Sequence, residues 1–123
     1  MKVFGYYILE GTTPVPVFDI LEWGEKMQSC NRIVARTTYN KILVSTVFLG
    51  LDHSWEGSPP IVFETMIFGG KYDQYQMRYA TWEEAKAGHE IACKKVVKSN
   101  LMYLFIFYWS IFLKLFENKP KKE

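Results

Sequence analysis

At 123 residues, with 49% hydrophobic and 17% aromatic side chains, the chain has ample material for one apolar core and little room for a second domain. Fifteen Lys and Arg against thirteen Asp and Glu leave a net charge of +2, too balanced for a protein that holds DNA or RNA by neutralising phosphates. Cys30 and Cys93 are too few for a secreted disulfide scaffold, and Met1 to Glu10 lacks the basic start and cleavage site of a signal peptide, so both thiols are expected reduced in a cytoplasmic protein.

Lys2 to Glu10 is rich in Tyr, Phe, Val and Ile and reads as a strand ending at Gly11. Gly11 to Pro16 reads as a turn or short connector, because its prolines lack a backbone donor. A helix follows, with Asp19 as N-cap, Glu22 three residues on, and Phe18 placed to staple against Trp23. Ile20, Leu21, Trp23 and Met27 supply its apolar side, and Gln28 to Asn31 close it.

From Arg32 the period falls to two. Arg32 to Thr38 is a strand, Tyr39-Asn40-Lys41 a turn, and Ile42 to Leu51 a second strand, apolar on both faces as a central strand covered on both sides would be. Asp52 to Pro60 is loop, Ile61 to Phe68 a strand ended by Gly69-Gly70, and Gln74 to Ala80 a shorter, more polar strand nearer an edge. Thr81-Trp82-Glu83-Glu84 forms a capping box. The helix it opens carries Trp82, Ala85, His89, Ala92, Cys93, Val96 and Val97 at spacings of three and four, the stripe that lies on the sheet. Gly88 inside it costs about 1 kcal/mol relative to alanine, which points to a close approach there.

Ser99 to Leu113 has no charge and is apolar on every side, between Lys98 and Lys114. It falls short of the ~20 residues usual for a bilayer span. Three placements compete: a dimer interface, the core of its own subunit, and a membrane tail anchor. The dimer is the leading expectation, with Leu101, Leu104, Phe105, Tyr108 and Phe112 as its contacts, because an all-round apolar helix must hide every face. The expected fold is α+β, an antiparallel β-sheet packed by one short helix and a long C-terminal helix. It forms a single domain, 1–123, with a core over about 1–98, an apolar extension over 99–117 and a charged tail over 118–123.

Catalytic patterns are weak. Asp52-His53 with Glu64 could gather a metal or an acid–base pair, but the plainer reading has Asp52 capping its loop and Glu64 answering a basic neighbour across the sheet. His89 reads as a hydrogen-bonded core histidine. Ser45 and Ser58 stand in no nucleophile elbow, Cys93 lies mid-helix, and Gly69-Gly70-Lys71 lacks the spacing of a phosphate loop. No catalytic residue, metal or cofactor is expected. A binding surface remains: Arg32, Arg36 and Arg78 lie on sheet segments and suit phosphates, while Trp55, Phe68, Tyr72, Tyr75 and Tyr79 supply flat rings for a base.

The blocks NRIVART at Asn31–Thr37, VSTVFLGLDH at Val44–His53, PPIVFETMIFGG at Pro59–Gly70 and RYATWEEAKAGHE at Arg78–Glu90 resemble a family of small phage and prophage proteins. The resemblance covers about residues 6–97; the stretch from Ser99 onward departs from it. In size, setting and layout the family is similar to the first type of Thoeris anti-defence protein, a sponge that binds a cyclic ADP-ribose isomer without cleaving it. That resemblance implies a cytoplasmic protein in a bacterial host that sequesters a small nucleotide signal, as a homodimer or larger homo-oligomer. Chemistry and position, rather than family motifs, select Arg32, Arg36, Thr65, Phe68, Arg78 and Tyr79 as ligand-binding candidates. Two other readings stand beside it. One is an accessory or inhibitor protein that engages a host or phage protein through the apolar helix. The other is a hydrolase or ring nuclease built on Asp52, His53 and Glu64.

Overall fold

A computed structural model describes residues 5–117, so the start of the first expected strand and the charged tail over 118–123 lie outside the described residues. The chain is α+β, as its patterning requires. Strands β1 (Tyr6–Glu10) and β2 (Thr13–Val17) form an antiparallel hairpin, followed by helix α1 (Ile20–Ser29). Strands β3 (Ile33–Tyr39), β4 (Ile42–Phe48), β5 (Phe63–Phe68) and β6 (Gln76–Tyr79) form a four-stranded antiparallel meander in chain order. Helix α2 (Trp82–Glu117) then runs 36 residues without a break.

The connector expected over Gly11–Pro16 is largely strand. Gly11, at φ 64°, opens a tight turn, and β2 returns along β1 from Glu10↔Thr13 to Tyr6↔Val17. Pro14 and Pro16 share one parity on an outer strand, so their missing N–H groups fall on the side away from β1 and no ladder bond is lost. The expected staple does not form, because Phe18 is 95% exposed. Trp23 is fixed another way: its indole N–H donates to the carbonyls of Tyr7 (3.0 Å) and Gly50 (3.1 Å), and its ring leans on Tyr6. One side chain thereby ties α1 to β1 and to the exit of β4. The N-cap stands as read, the Asp19 carboxylate accepting from the Leu21 amide.

The capping box also forms, with one adjustment. The Thr81 hydroxyl accepts from the Glu84 amide at 3.1 Å, but Glu84 reaches back to the amide of Ala80 rather than that of Thr81. Along α2 the sheet-facing stripe is as the spacing gives it: Ala85, His89, Ala92 and Val96 are buried, with Trp82, Cys93 and Val97 half-buried beside them. Gly88 belongs to the same face, and a Cβ there would overlap the Tyr79 ring, which is the close approach the glycine implied.

Two apolar clusters hold the sheet and helix together. Met27, Phe48, Val62, Phe63, Tyr79 and Ala85 pack at one end; Val44, Ile67, Ala92 and Val96 pack at the other. Between them lies a polar layer. His89, only 6% exposed, shares hydrogen bonds with the hydroxyls of Thr37 (2.9 Å, at Nε2) and Thr46 (2.8 Å, at Nδ1), and Thr46 meets Thr65 at 2.6 Å. A neutral imidazole donates from one nitrogen and accepts at the other, so this layer satisfies the ring in its uncharged form.

Burial accordingly holds the His89 pKa below the ordinary histidine value of 6.5, against a weaker opposing pull from Glu90. The sign of the consequence follows from proton counting. Below about pH 6.5 the unfolded chain binds a proton at this position that the native chain resists, so stability present above that pH is lost as pH falls through it. Thermal unfolding is therefore expected at a lower midpoint at pH 5.5 than at pH 7.5. The His89→Gln variant should lose that share of the acid sensitivity; an unchanged pH slope would assign it to other groups.

Candidate ligand-binding face

Helix α2 covers one face of the four-stranded sheet. The other was expected to be covered too, because β4 is apolar on both sides, but no described element packs on it. Val44, Thr46 and Phe48 are buried under α2, whereas Leu43, Ser45 and Val47 on the opposite side are only half-buried.

Cross-strand register places the side chains of the open face in rows. One row joins Arg36, Ser45, Met66 and Gln76. The next joins Ile33, Val47, Glu64 and Arg78, and on the other side Thr38, Leu43 and Phe68 stand together. The β3 edge carries a bulge: Ile33 pairs with Val47 and Ala35 with Thr46, so Val34 is the extra residue. Beside that bulge a groove of about 330 Å³ opens, lined by Arg32, Ile33, Arg36, Ser45, Val47, Phe48 and Leu49. Its volume lies at the lower end of small-molecule sites.

The six candidate ligand residues are distributed as follows. Arg32 and Arg36 both line the groove, and among the described residues no carboxylate pairs with either guanidinium. Phe68 lies on the same open face but two strands over and one row along, roughly 12 Å from Arg36 by strand spacing. Arg78 is on that face as well, but its Nε already donates to Glu64 at 2.9 Å, and Gln76 donates to the same carboxylate. Thr65 and Tyr79 face α2 instead; Thr65 is fully buried against Thr46, and Tyr79 packs in the apolar core. The structure therefore brings together two of the six, with Phe68 within a ligand's length of them.

Ile33, Ser45, Val47, Phe48 and Leu49 complete the groove and were not among the ligand candidates read from the sequence. The signal for Ser45 and Val47 was the period of two in β4: once Thr46 is assigned to the helix side, both must face away.

In the Asp52, His53 and Glu64 constellation both carboxylates are already engaged. Asp52 caps its loop by accepting from the amides of Ser54 (2.8 Å) and Ile61 (3.0 Å), Glu64 is engaged by Arg78, and His53 is exposed. Among the described residues no group of three or more His, Cys, Asp and Glu side chains is placed to hold a metal. Both cysteines are free thiols. A second concave site lies between the β1–β2 hairpin and α1. Glu10, Asp19, Glu22 and Lys26 line it, and Lys26 is paired with Glu22 at 2.7 Å. No protein-family model, curated protein or solved structure matches the chain.

Proposed function

We propose that the chain is a non-catalytic binding protein that holds a phosphorylated nucleotide on the open face of its sheet. The observation that carries this reading is the groove beside the β3 bulge. Two guanidinium groups with no carboxylate partner among the described residues stand at its rim, and Ile33 and Val47 supply an apolar floor. Arginine offers paired N–H donors to phosphate oxygens, so Arg32 and Arg36 take the phosphates. Ser45 offers a hydroxyl beside them, and Phe68, about 12 Å from Arg36 by strand spacing, an exposed ring for a base farther along the face. The resemblance to phage anti-defence sponges narrows the ligand to a cyclic ADP-ribose isomer and the role to sequestration of a host immune signal. Binding on rigid strands suits a sponge, because preorganised contacts leave little ordering cost.

The test is to incubate the protein with a panel of cyclic nucleotide signals, remove free ligand, heat-denature and analyse what is released. Intact ligand at about one per site supports the reading; a chemically altered product supports a hydrolase, and no ligand at all sinks it. In the same assay Arg36→Ala is expected to weaken binding by about 10- to 100-fold, the loss of ~1.5–3 kcal/mol for a charged hydrogen bond. Its unfolding midpoint should stay that of the parent chain, since the side chain is exposed.

A further inference from the structure

The first 17 residues of α2, Trp82 to Lys98, lie on the sheet; beyond them the helix leaves the body. From Leu104 to Trp109 six consecutive residues are large and apolar, and every one is between 47% and 69% exposed. At 100° per residue these six point in all directions around the axis. The most apolar 18-residue window of α2 is only 6% buried. Packing within the subunit, one of the placements the sequence left open, is therefore not what covers this segment.

A second copy of the chain covers it incompletely. Two paired helices bury one stripe of each, spaced at three and four residues. The aromatic ladder Phe105, Trp109, Phe112 and Phe116 would serve as such a stripe, its first three rings stacked along the helix and Phe116 tilted against Phe112. Pairing on it leaves Leu104, Ile106, Phe107 and Ile111 facing water on the far side. Larger symmetric bundles keep the same defect, because each copy retains an outward surface. A solvent that is itself apolar covers all sides at once.

We infer that this segment inserts into a lipid bilayer and anchors the folded body to a membrane. Ser99 to Phe116 spans about 27 Å at 1.5 Å per residue, close to the ~30 Å hydrocarbon thickness. Lys114 is its one charge and lies near the end, where a long side chain reaches the headgroups. Lys94 and Lys98 are exposed on the body side, and Lys119, Lys121 and Lys122 follow the segment in sequence, so cationic groups flank both ends where lipid phosphates lie. The inference is independent of the groove on the sheet.

The experiment is flotation of the full chain, reconstituted from detergent, with phosphatidylcholine vesicles in 1 M NaCl. Neutral lipid and high salt remove electrostatic adsorption, so protein that floats is inserted. The full chain is expected to float. The Ile106→Asp/Ile111→Asp variant should partition into vesicles about 100-fold less, since each carboxylate near the bilayer centre weakens insertion more than tenfold. These side chains touch no part of the body, so its thermal unfolding should be unchanged in the variant. Two outcomes would overturn the inference. One is a full chain that stays soluble without detergent as a discrete oligomer by light scattering, which would make copies of the chain the cover. The other is a double variant that floats as well as the parent.

Discussion

Replacing Phe63 by alanine should lower the unfolding free energy by about 3–5 kcal/mol, the cost of deleting a ring from a close-packed core. Phe63 has no exposed surface, pairs with Phe48 across β4 and β5 at 5.4 Å between ring centroids, and meets the edge of Trp82 from α2. It is therefore the point where the sheet's central pair and the start of the long helix share one contact. Nothing nearby can collapse into the space, because its neighbours are themselves held by strand pairing and by the capping box of α2. For a domain whose total stability is of order 5–15 kcal/mol, a large share of the margin disappears. Denaturant titration followed by tryptophan fluorescence should show a lower midpoint at unchanged slope. The same substitution at Phe18, 95% exposed, should change stability by less than about 0.5 kcal/mol. Equal losses at the two sites would mean that burial does not govern stability here.

Gly88→Ala is the second large effect, and its sign runs against helix propensity. In an exposed helix interior the change would add about 1 kcal/mol of stability. Here the new methyl overlaps Oη, Cζ and Cε1 of Tyr79, a ring that is itself 9% exposed and packed in the core. Relief requires moving β6 or lifting α2, and overpacking of this kind costs about 1–3 kcal/mol or more. A lower melting temperature is expected. The decisive comparison is a double-mutant cycle with Tyr79→Leu, which removes the atoms that collide. In that background Gly88→Ala should become neutral or stabilising, a coupling that a general helix defect would not produce.

How far the sequence revealed this arrangement depends on whether a feature is set by neighbours along the chain or across it. The Asp19 cap, the Thr81–Glu84 box and the buried stripe of α2 are local, fixed by spacings of two to four, and all were legible. The Glu64–Arg78 pair was legible as a basic neighbour across the sheet. Strand β2 was hidden because two prolines normally argue against a strand, and only its place as an outer strand with both prolines at one parity makes it admissible. The open face was hidden for the opposite reason. Apolar residues on both sides of β4 look the same whether the second side is covered by protein or left open.

The candidate site was legible in its chemistry but not in its geometry. Arg32 and Arg36 were chosen for their side chains, and they do share a groove. Thr65 and Tyr79 were chosen alongside them, yet they lie on the other face, since facing depends on cross-strand register, and Ile33 joins the open face only through the Val34 bulge. Neither can be read from one strand alone.

The polar layer inside the core has a bearing on how the chain finds a single alignment. An interior of aliphatic and aromatic groups alone lets a helix slide along a sheet at modest loss, because one apolar contact replaces another. His89 permits no such exchange. Shifted by one turn, about 5.4 Å, toward Phe48 and Phe63 its ring would leave both nitrogens without partners, and shifted toward Val44 and Ile67 it would keep at most Thr37, the cross-strand partner of Val44. Thr46 and Thr65 would lose the imidazole in the same movement. The layer thus acts as a locating pin between two interchangeable cushions, contributing less to the strength of the fold than to its having only one setting.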